Sequence, residues 1–200
     1  VRLPVTGRHN VLNALAAIVV GLHLNLRLDD IVQAFLTFSN SKRRFERIAD
    51  RDGVLIISDY AHHPTELRAM MSQAALLKRR LVAVFQPHRY SRTLALGPDF
   101  ATSFRGVDDL LVVPVYAASE SEIKGGTSRD LVKHFAGQDG LKPAYADSLD
   151  EAWVWIRATV KPGDVLLITG AGDVEKLAFR GRDALMAGTF FQDAKHVKKV

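Results

Sequence analysis

Short apolar runs separated by helix-length segments constrain this chain more than any other feature. Val54–Ser58, Leu81–Phe85, Leu110–Tyr116 and Val165–Thr169 are brief and mostly aliphatic. Between and after them lie segments with helical patterning: Pro64 to about Lys78, Thr93 to about Arg105, Thr127–Phe135, Ser148–Thr159, and a last one from Gly172 to about Met186. Strands that are apolar throughout need cover on both faces. Strands alternating with helices predict a parallel sheet with helices on each side. The expected fold is therefore α/β, a Rossmann-like, mostly parallel sheet. Local chemistry agrees. Pro64 suits the first turn of a helix, where a missing N–H costs nothing. Ser148 and Glu151 have capping-box spacing. Ala144-Tyr145 is a candidate edge strand, and Gly97-Pro98 a candidate helix break.

Residues 9–38 read differently, as two helices ahead of the sheet. Leu12, Leu15, Ala16, Val19 and Leu22 recur at helical spacing behind Asn10, a candidate N-cap. Asp29-Asp30 opens the second helix. The polar stretch Ser39–Arg44 then marks a boundary. The expected organisation is a helical segment (1–40), an α/β domain (41–188) and a tail or linker (189–200).

Composition excludes several classes. There is no cysteine, so disulfides, thiolate metal sites and cysteine nucleophiles are ruled out. Lys and Arg exceed Asp and Glu by 27 to 22, a net charge of +5. The basic groups Lys42-Arg43-Arg44, Lys78-Arg79-Arg80 and Lys195/Lys198/Lys199 are short and scattered, unlike a nucleic-acid footprint. Such a balance suits nucleotide phosphates or carboxylates. Val11–Leu26 is interrupted by Asn13, His23 and Asn25, so neither a membrane span nor a signal peptide is expected. The expected partners are small molecules, without nucleic acid or membrane insertion, in the cytoplasm.

Ligands of open parallel sheets bind beyond the carboxyl ends of the strands. Three polar segments fall there: Asp59-Tyr60-Ala61-His62-His63-Pro64-Thr65-Glu66, Gln86-Pro87-His88-Arg89-Tyr90-Ser91-Arg92-Thr93 and Gly170-Ala171-Gly172-Asp173. Arg89 and Arg92 could grip a small carboxylate through paired charge-assisted bonds, or be two solvated surface arginines. His62 could orient or deprotonate an amine. His62, His63 and His88 could instead ligate a metal, although no spacing supports a third ligand and none is expected. His63, directly before Pro64, reads best as a helix cap or packed residue. The glycine-rich turn lacks the third glycine of a dinucleotide fingerprint, since position 175 is Glu. It could receive an anion on backbone N–H groups, or only allow a tight turn. Gly125-Gly126-Thr127 lacks the frame of a P-loop, and no such frame occurs in the chain.

Taken together, these motifs resemble the Mur ligase family of bacterial cell-wall enzymes. Gly7-Arg8-His9-Asn10-Val11-Leu12-Asn13-Ala14-Leu15-Ala16-Ala17 is similar to the segment that meets the ATP base at the end of their central domain. Arg43-Arg44-Phe45-Glu46 looks like the entry to their C-terminal domain. The two histidine-containing segments are similar to signature loops of the branch that adds L-alanine to UDP-N-acetylmuramate. Gly163-Asp164 and Gly170–Asp173 match its final strand and turn. The resemblance runs from residue 5 to about 187.

It implies a set of roles. His9 and Asn13 would lie beside adenine, Arg44 would act catalytically by reaching the ATP phosphates, and Asp59 would hold the ribose. Tyr60, His62, His88, Arg89 and Arg92 would form the L-alanine pocket, with His62 also catalytic. Gly170, Ala171, Gly172 and Asp173 would line the same cleft. Ala61 departs from an expected glycine, which would shift the loop slightly. The family reaction activates the muramoyl carboxylate with ATP and Mg²⁺ before the amine attacks. That needs a P-loop, metal ligands and a sugar-nucleotide domain, which relatives carry upstream. The chain alone is thus expected to bind neither cofactor and to be inactive as a ligase. A murein-tripeptide recycling ligase shares the His-His-Pro loop but is less similar at Gln86–Thr93. A non-catalytic nucleotide-binding or interaction module of this fold is a further alternative.

Overall fold

The computed structural model describes residues 1–39, 41–136 and 141–192. Asn40, part of the polar boundary, lies outside them, as do Lys195, Lys198, Lys199 and the rest of the tail beyond 192. The chain forms two compact units, residues 1–42 and 43–200.

The first unit contains α1 (Arg8–His23) and α2 (Leu28–Leu36). Gly21 lets the two approach. A Cβ there would sit 2.7 Å from Cδ1 of Ile31, the one buried residue of α2. Two helices cannot bury a whole apolar stripe between them, and Leu12, Leu15, Val19 and Leu22 remain exposed. Gly7, not Asn10, is the N-cap of α1. Asn10 lies inside the first turn, where its side-chain amide donates to the Thr6 carbonyl at 2.7 Å.

The second unit is built on a six-stranded sheet: β1 (Glu46–Arg51), β2 (Val54–Asp59), β3 (Leu81–Gln86), β4 (Asp109–Val112), β5 (Ala144–Tyr145) and β6 (Val165–Gly170). The spatial order is β1-β2-β6-β3-β4-β5. Only β1 is antiparallel. It is also the strand missed in the sequence. Its residues Glu-Arg-Ile-Ala-Asp-Arg are charged and only partly buried, because an edge strand needs no apolar run. By contrast β2, β3 and β6 are buried along their whole length, as continuous aliphatic sequence requires.

Side chains alternate across the sheet. Leu55, Ile57, Ala83, Phe85 and Leu167 point to a core shared with Leu67, Met70, Phe100, Phe104 and Phe135. Ile56, Val82, Val84, Leu166 and Ile168 point the other way, onto Trp153, Ile156, Leu177, Leu185 and Phe190. The first face is covered by α3 (Pro64–Ala74), α4 (Tyr90–Ala101) and α5 (Ser128–Lys133). The second is covered by α6 (Leu149–Thr159) and α7 (Glu175–Met186).

Helix starts follow the expected capping chemistry, with small shifts. Pro64 is the first residue of α3, and the imidazole Nδ1 of His63 accepts from Thr65 N–H at 3.3 Å. Ser148 Oγ accepts from Glu151 N–H at 3.1 Å, but the Glu151 carboxylate takes the Asp147 N–H instead of that of Ser148. The helix α4 begins at Tyr90 and runs through Pro98 without a break. Gly97 is there for contact. A Cβ would lie 2.6 Å from the His134 ring. The run Leu110–Tyr116 is strand only to Val112, after which Tyr116 forms an isolated bridge with His88.

At the amino ends of the strands, the basic pair Arg79-Arg80 is consumed internally. Arg79 donates to the carbonyls of Gly53, Gly163 (2.6 Å) and Asp164 (2.7 Å). Arg80 bridges Asp164 (2.6 Å) and Asp109. The carboxyl rim lies at the opposite ends of the strands.

Gly181 sets how closely α7 lies on β2, since a Cβ there would be 2.8 Å from Ile56 Cδ1. Gly181→Val is expected to destabilise the unit by about 1–3 kcal/mol through overpacking. Denaturant unfolding checks this, and an unchanged midpoint would contradict the packing described.

Candidate functional site at the carboxyl rim

Parallel register brings three loops to one level. Asp59 of β2 pairs with Thr169 of β6, and Gln86 of β3 pairs with Gly170. The chain therefore leaves the sheet at the same height after β2, β3 and β6.

The first loop is pinned by Asp59, which is 8% exposed. Its two carboxylate oxygens accept from the N–H groups of Ala61 and Phe45, each at 2.7 Å. Burial raises its pKa, against the opposing effect of those bonds and of the Arg44 charge. This anchoring was not foreseen for a residue expected only to meet ribose. Thr169 Oγ1 donates to the Ala61 carbonyl at 2.8 Å. Ala61 is not left-handed, so the expected glycine is not needed for backbone conformation here. His62 Nδ1 is 2.8 Å from the Tyr60 carbonyl. A carbonyl only accepts, so the proton belongs on Nδ1 and Nε2 is the basic nitrogen. Glu66 accepts from the N–H of His62 at 3.0 Å and lies 3.5 Å from Nδ1.

The second loop turns through Arg89, whose φ of 71° is left-handed. The cost of that conformation is offset by two backbone bonds to the segment after β4: Arg89 N–H to the Tyr116 carbonyl (2.9 Å) and Tyr116 N–H to the Pro87 carbonyl (2.8 Å). Glu120 accepts from the Ser91 N–H (3.0 Å) and Oγ (2.6 Å), securing the start of α4.

The loops converge through their rings. His62 and His88 are 5.3 Å apart between centroids, and Tyr60 meets His62 edge-on at 5.2 Å. Tyr116 stacks on the far side of His88 at 5.8 Å, with only 12° between planes. The Arg92 guanidinium is 3.4 Å from His88 Nδ1. Burial, then the proximity of His62, Arg92 and Arg89, lowers the His88 pKa. Near neutral pH its imidazole is uncharged beside two arginines.

The third loop is held by Gln86. Its side chain donates to Asp173 Oδ1 (2.9 Å) and accepts from Val174 N–H (3.1 Å). Burial opposes the Asp173 charge, but the bonds from Gln86 and Lys176 prevail and its pKa is lowered. Gly170 has φ 145°, and a Cβ on Gly172 would lie 2.5 Å from Tyr116 Cγ. These glycines permit the close turn and the approach of an aromatic ring.

Of the residues anticipated, Tyr60, His62, His88 and Arg92 form one connected group. Arg89 is exposed beside it. Arg44 is exposed near Asp59, on which its charge acts. Gly170–Asp173 border the same rim. His9 and Asn13 lie on α1 in the first unit. The sequence reading missed Arg43, Gln86, Tyr116 and Glu120. Only Gln86, the last residue of a buried strand, carried a signal: a polar side chain there needs partners. Among the described residues, no three His, Asp or Glu side chains converge as metal ligands, and no helix is long and apolar enough to cross a membrane.

Because the folded pKa of His88 is depressed, the stability it contributes is present above the unfolded value and lost as pH falls below about 6.5. The thermal midpoint should therefore drop more between pH 7.5 and 5.5 in the wild type than in His88→Asn. Equal drops in the two proteins would contradict the assigned direction.

The chain as a whole is similar to known proteins. The family described as "Mur ligase, glutamate ligase domain" matches residues 43–172. The UDP-N-acetylmuramate–L-alanine ligase of Symbiobacterium thermophilum is 42% identical over 180 residues, covering 89% of this chain and 37% of that protein. That of Nitrosomonas eutropha is 43% identical over 185 residues, covering 89% and 39%. The chain thus spans about two fifths of the length of these curated relatives. Among solved structures, the UDP-N-acetylmuramate–alanine ligase of Thermotoga maritima superposes with a TM-score of 0.76 at 28% identity, over 93% of this chain and 40% of that one. A murein peptide ligase of Psychrobacter arcticus gives 0.68 at 25%, over 100% and 40%. With its six-stranded, mostly parallel sheet and a family match across most of the second unit, this chain belongs to the Mur ligase family.

Proposed function

We propose that this chain supplies the amino-acid pocket and part of the ATP-binding surface of an ATP-dependent ligase. The reaction joins L-alanine to UDP-N-acetylmuramate in peptidoglycan synthesis, and so serves cell shape and division. ATP makes the cytoplasm its setting. The observation that carries the reading is the convergence of Tyr60, His62, His88 and Arg92, with Arg89 alongside, at one rim of the sheet.

Each side chain has a chemical task. Arg89 and Arg92 hold the alanine carboxylate by charge-assisted hydrogen bonds. Neutral His88 packs between them and His62 without adding a competing charge, and Tyr60 walls the pocket. His62, protonated at Nδ1, presents Nε2 to take a proton from the alanine ammonium, since only the free amine is a nucleophile. Arg44 contacts the ATP phosphates, and the second lone pairs of the Asp59 carboxylate receive ribose hydroxyls. His9 and Asn13 flank adenine. ATP with Mg²⁺, when bound, supplies the activation of the muramoyl carboxylate. Nothing in the chain has the frame of a P-loop, so we assign phosphate activation to the other three fifths of the relatives' length and expect the chain alone to be inactive.

L-alanine is favoured over a murein tripeptide by the 42–43% identity to alanine ligases and by the better superposition on the alanine enzyme. Supplying the full-length protein with ATP, UDP-N-acetylmuramate and either L-alanine or tripeptide decides this. Product with L-alanine alone is expected. Product only with tripeptide would move the chain to the recycling enzyme, and no product with either would leave a binding module. In the full-length protein, Arg89→Ala or Arg92→Ala should raise the KM for alanine roughly 10–100-fold, the loss of one charge-assisted bond. Arg44→Ala should instead lower kcat with little change in that KM. Loss of ATP affinity in Arg89→Ala would contradict the pocket assignment.

A further inference from the structure

From the geometry we infer that Arg43 is a positioning residue, the latch that holds Tyr60 and the Gly170–Gly172 turn in place around the amino-acid pocket. The inference rests on the ligase reading above and deepens it.

Arg43 meets the site through both its backbone and its guanidinium. Its backbone is left-handed, with φ 57°. Its N–H donates to the Glu46 carboxylate at 2.7 Å, and its carbonyl accepts from the Tyr60 N–H at 2.7 Å. Its guanidinium carbon lies 4.8 Å from the Tyr60 ring centroid, a cation–π contact. From there one terminal nitrogen reaches the Gly170 carbonyl and lies 3.3 Å from that of Gly172. Nε is 3.2 Å from the Glu175 carboxylate, an ion pair without the alignment of a hydrogen bond. The side chain is only 16% exposed.

These partners come from separate elements. Tyr60 follows β2, Gly170 ends β6, and Glu175 opens α7. Arg43 touches all three. Arg43 also directly precedes Arg44, so fixing its backbone fixes where the next arginine starts. The planar fork matters. It can lie flat over a ring while its edge donates to carbonyls. An ammonium is a point charge that meets the ring or the carbonyls, with less reach to both. A methionine keeps an unbranched stem and carries no charge. Arg43 itself need not touch substrate. It sets the width of the pocket between Tyr60 and the last turn.

The test uses the full-length ligase with Arg43→Met and Arg43→Lys. Arg43→Met should raise the KM for L-alanine about tenfold while kcat stays within about threefold, the size expected from loss of one desolvated cation–π and hydrogen-bonded contact. Arg43→Lys should recover part of that loss. Thermal unfolding reports folding of each variant. A purely structural role would lower the thermal midpoint and kcat together and leave KM unchanged. That result, or an unaltered KM in a well-folded Arg43→Met, overturns the inference alone. A wild-type enzyme with no alanine-dependent activity overturns the ligase reading first, and the inference with it.

Discussion

Parallel pairing of β2, β6 and β3 is the constraint on which the site depends. Register alone aligns Asp59 with Thr169 and Gln86 with Gly170, so three separate turns leave the sheet side by side. A slip of one residue would turn each side chain to the other face and break both cores. The aliphatic monotony of these strands therefore does more than stabilise. It fixes the height at which polar chemistry begins. Arg79 and Arg80 contribute from the opposite end, by binding the strand starts together.

On that platform, short polar devices set each loop. Asp59 holds the first through two backbone N–H groups, Glu120 and Tyr116 hold the second, and Gln86 holds the third. The result is a band of rings from Tyr60 through His62 and His88 to Tyr116, with Arg43 over its first ring and Arg92 beside the third. Burial and nearby charges keep His88 neutral, while the margin of the band is positive. In the proposed reading, the carboxylate of a small zwitterion meets the arginines of that margin.

Much of this was legible in the sequence, for identifiable reasons. Two-sided burial leaves an aliphatic signature, so β2, β3 and β6 could be read directly. Residues just past them could be singled out for their position, and His63 could be read as a cap because Pro64 follows it. What was hidden depends on contacts distant in sequence. The strand β1 is an edge, and its charged residues carry no period. Asn10 looked like a cap because the Gly7 that precedes the helix has no side chain to advertise it. Pro98 suggested a break that helix packing around Gly97 overrides. Arg43 is one of two adjacent arginines, and nothing local says which of them turns inward. Tyr116 reaches His88 only because the chain after β4 bends back to it.

The central claim is that the two histidine turns jointly cradle an amino acid. A crystal structure of the full-length protein with UDP-N-acetylmuramoyl-L-alanine bound tests it most directly. The account predicts the alanyl carboxylate within hydrogen-bond distance of the Arg89 and Arg92 guanidinium groups, with its nitrogen on the side of His62. An alanyl group seated elsewhere, with both arginines facing solvent, would contradict it.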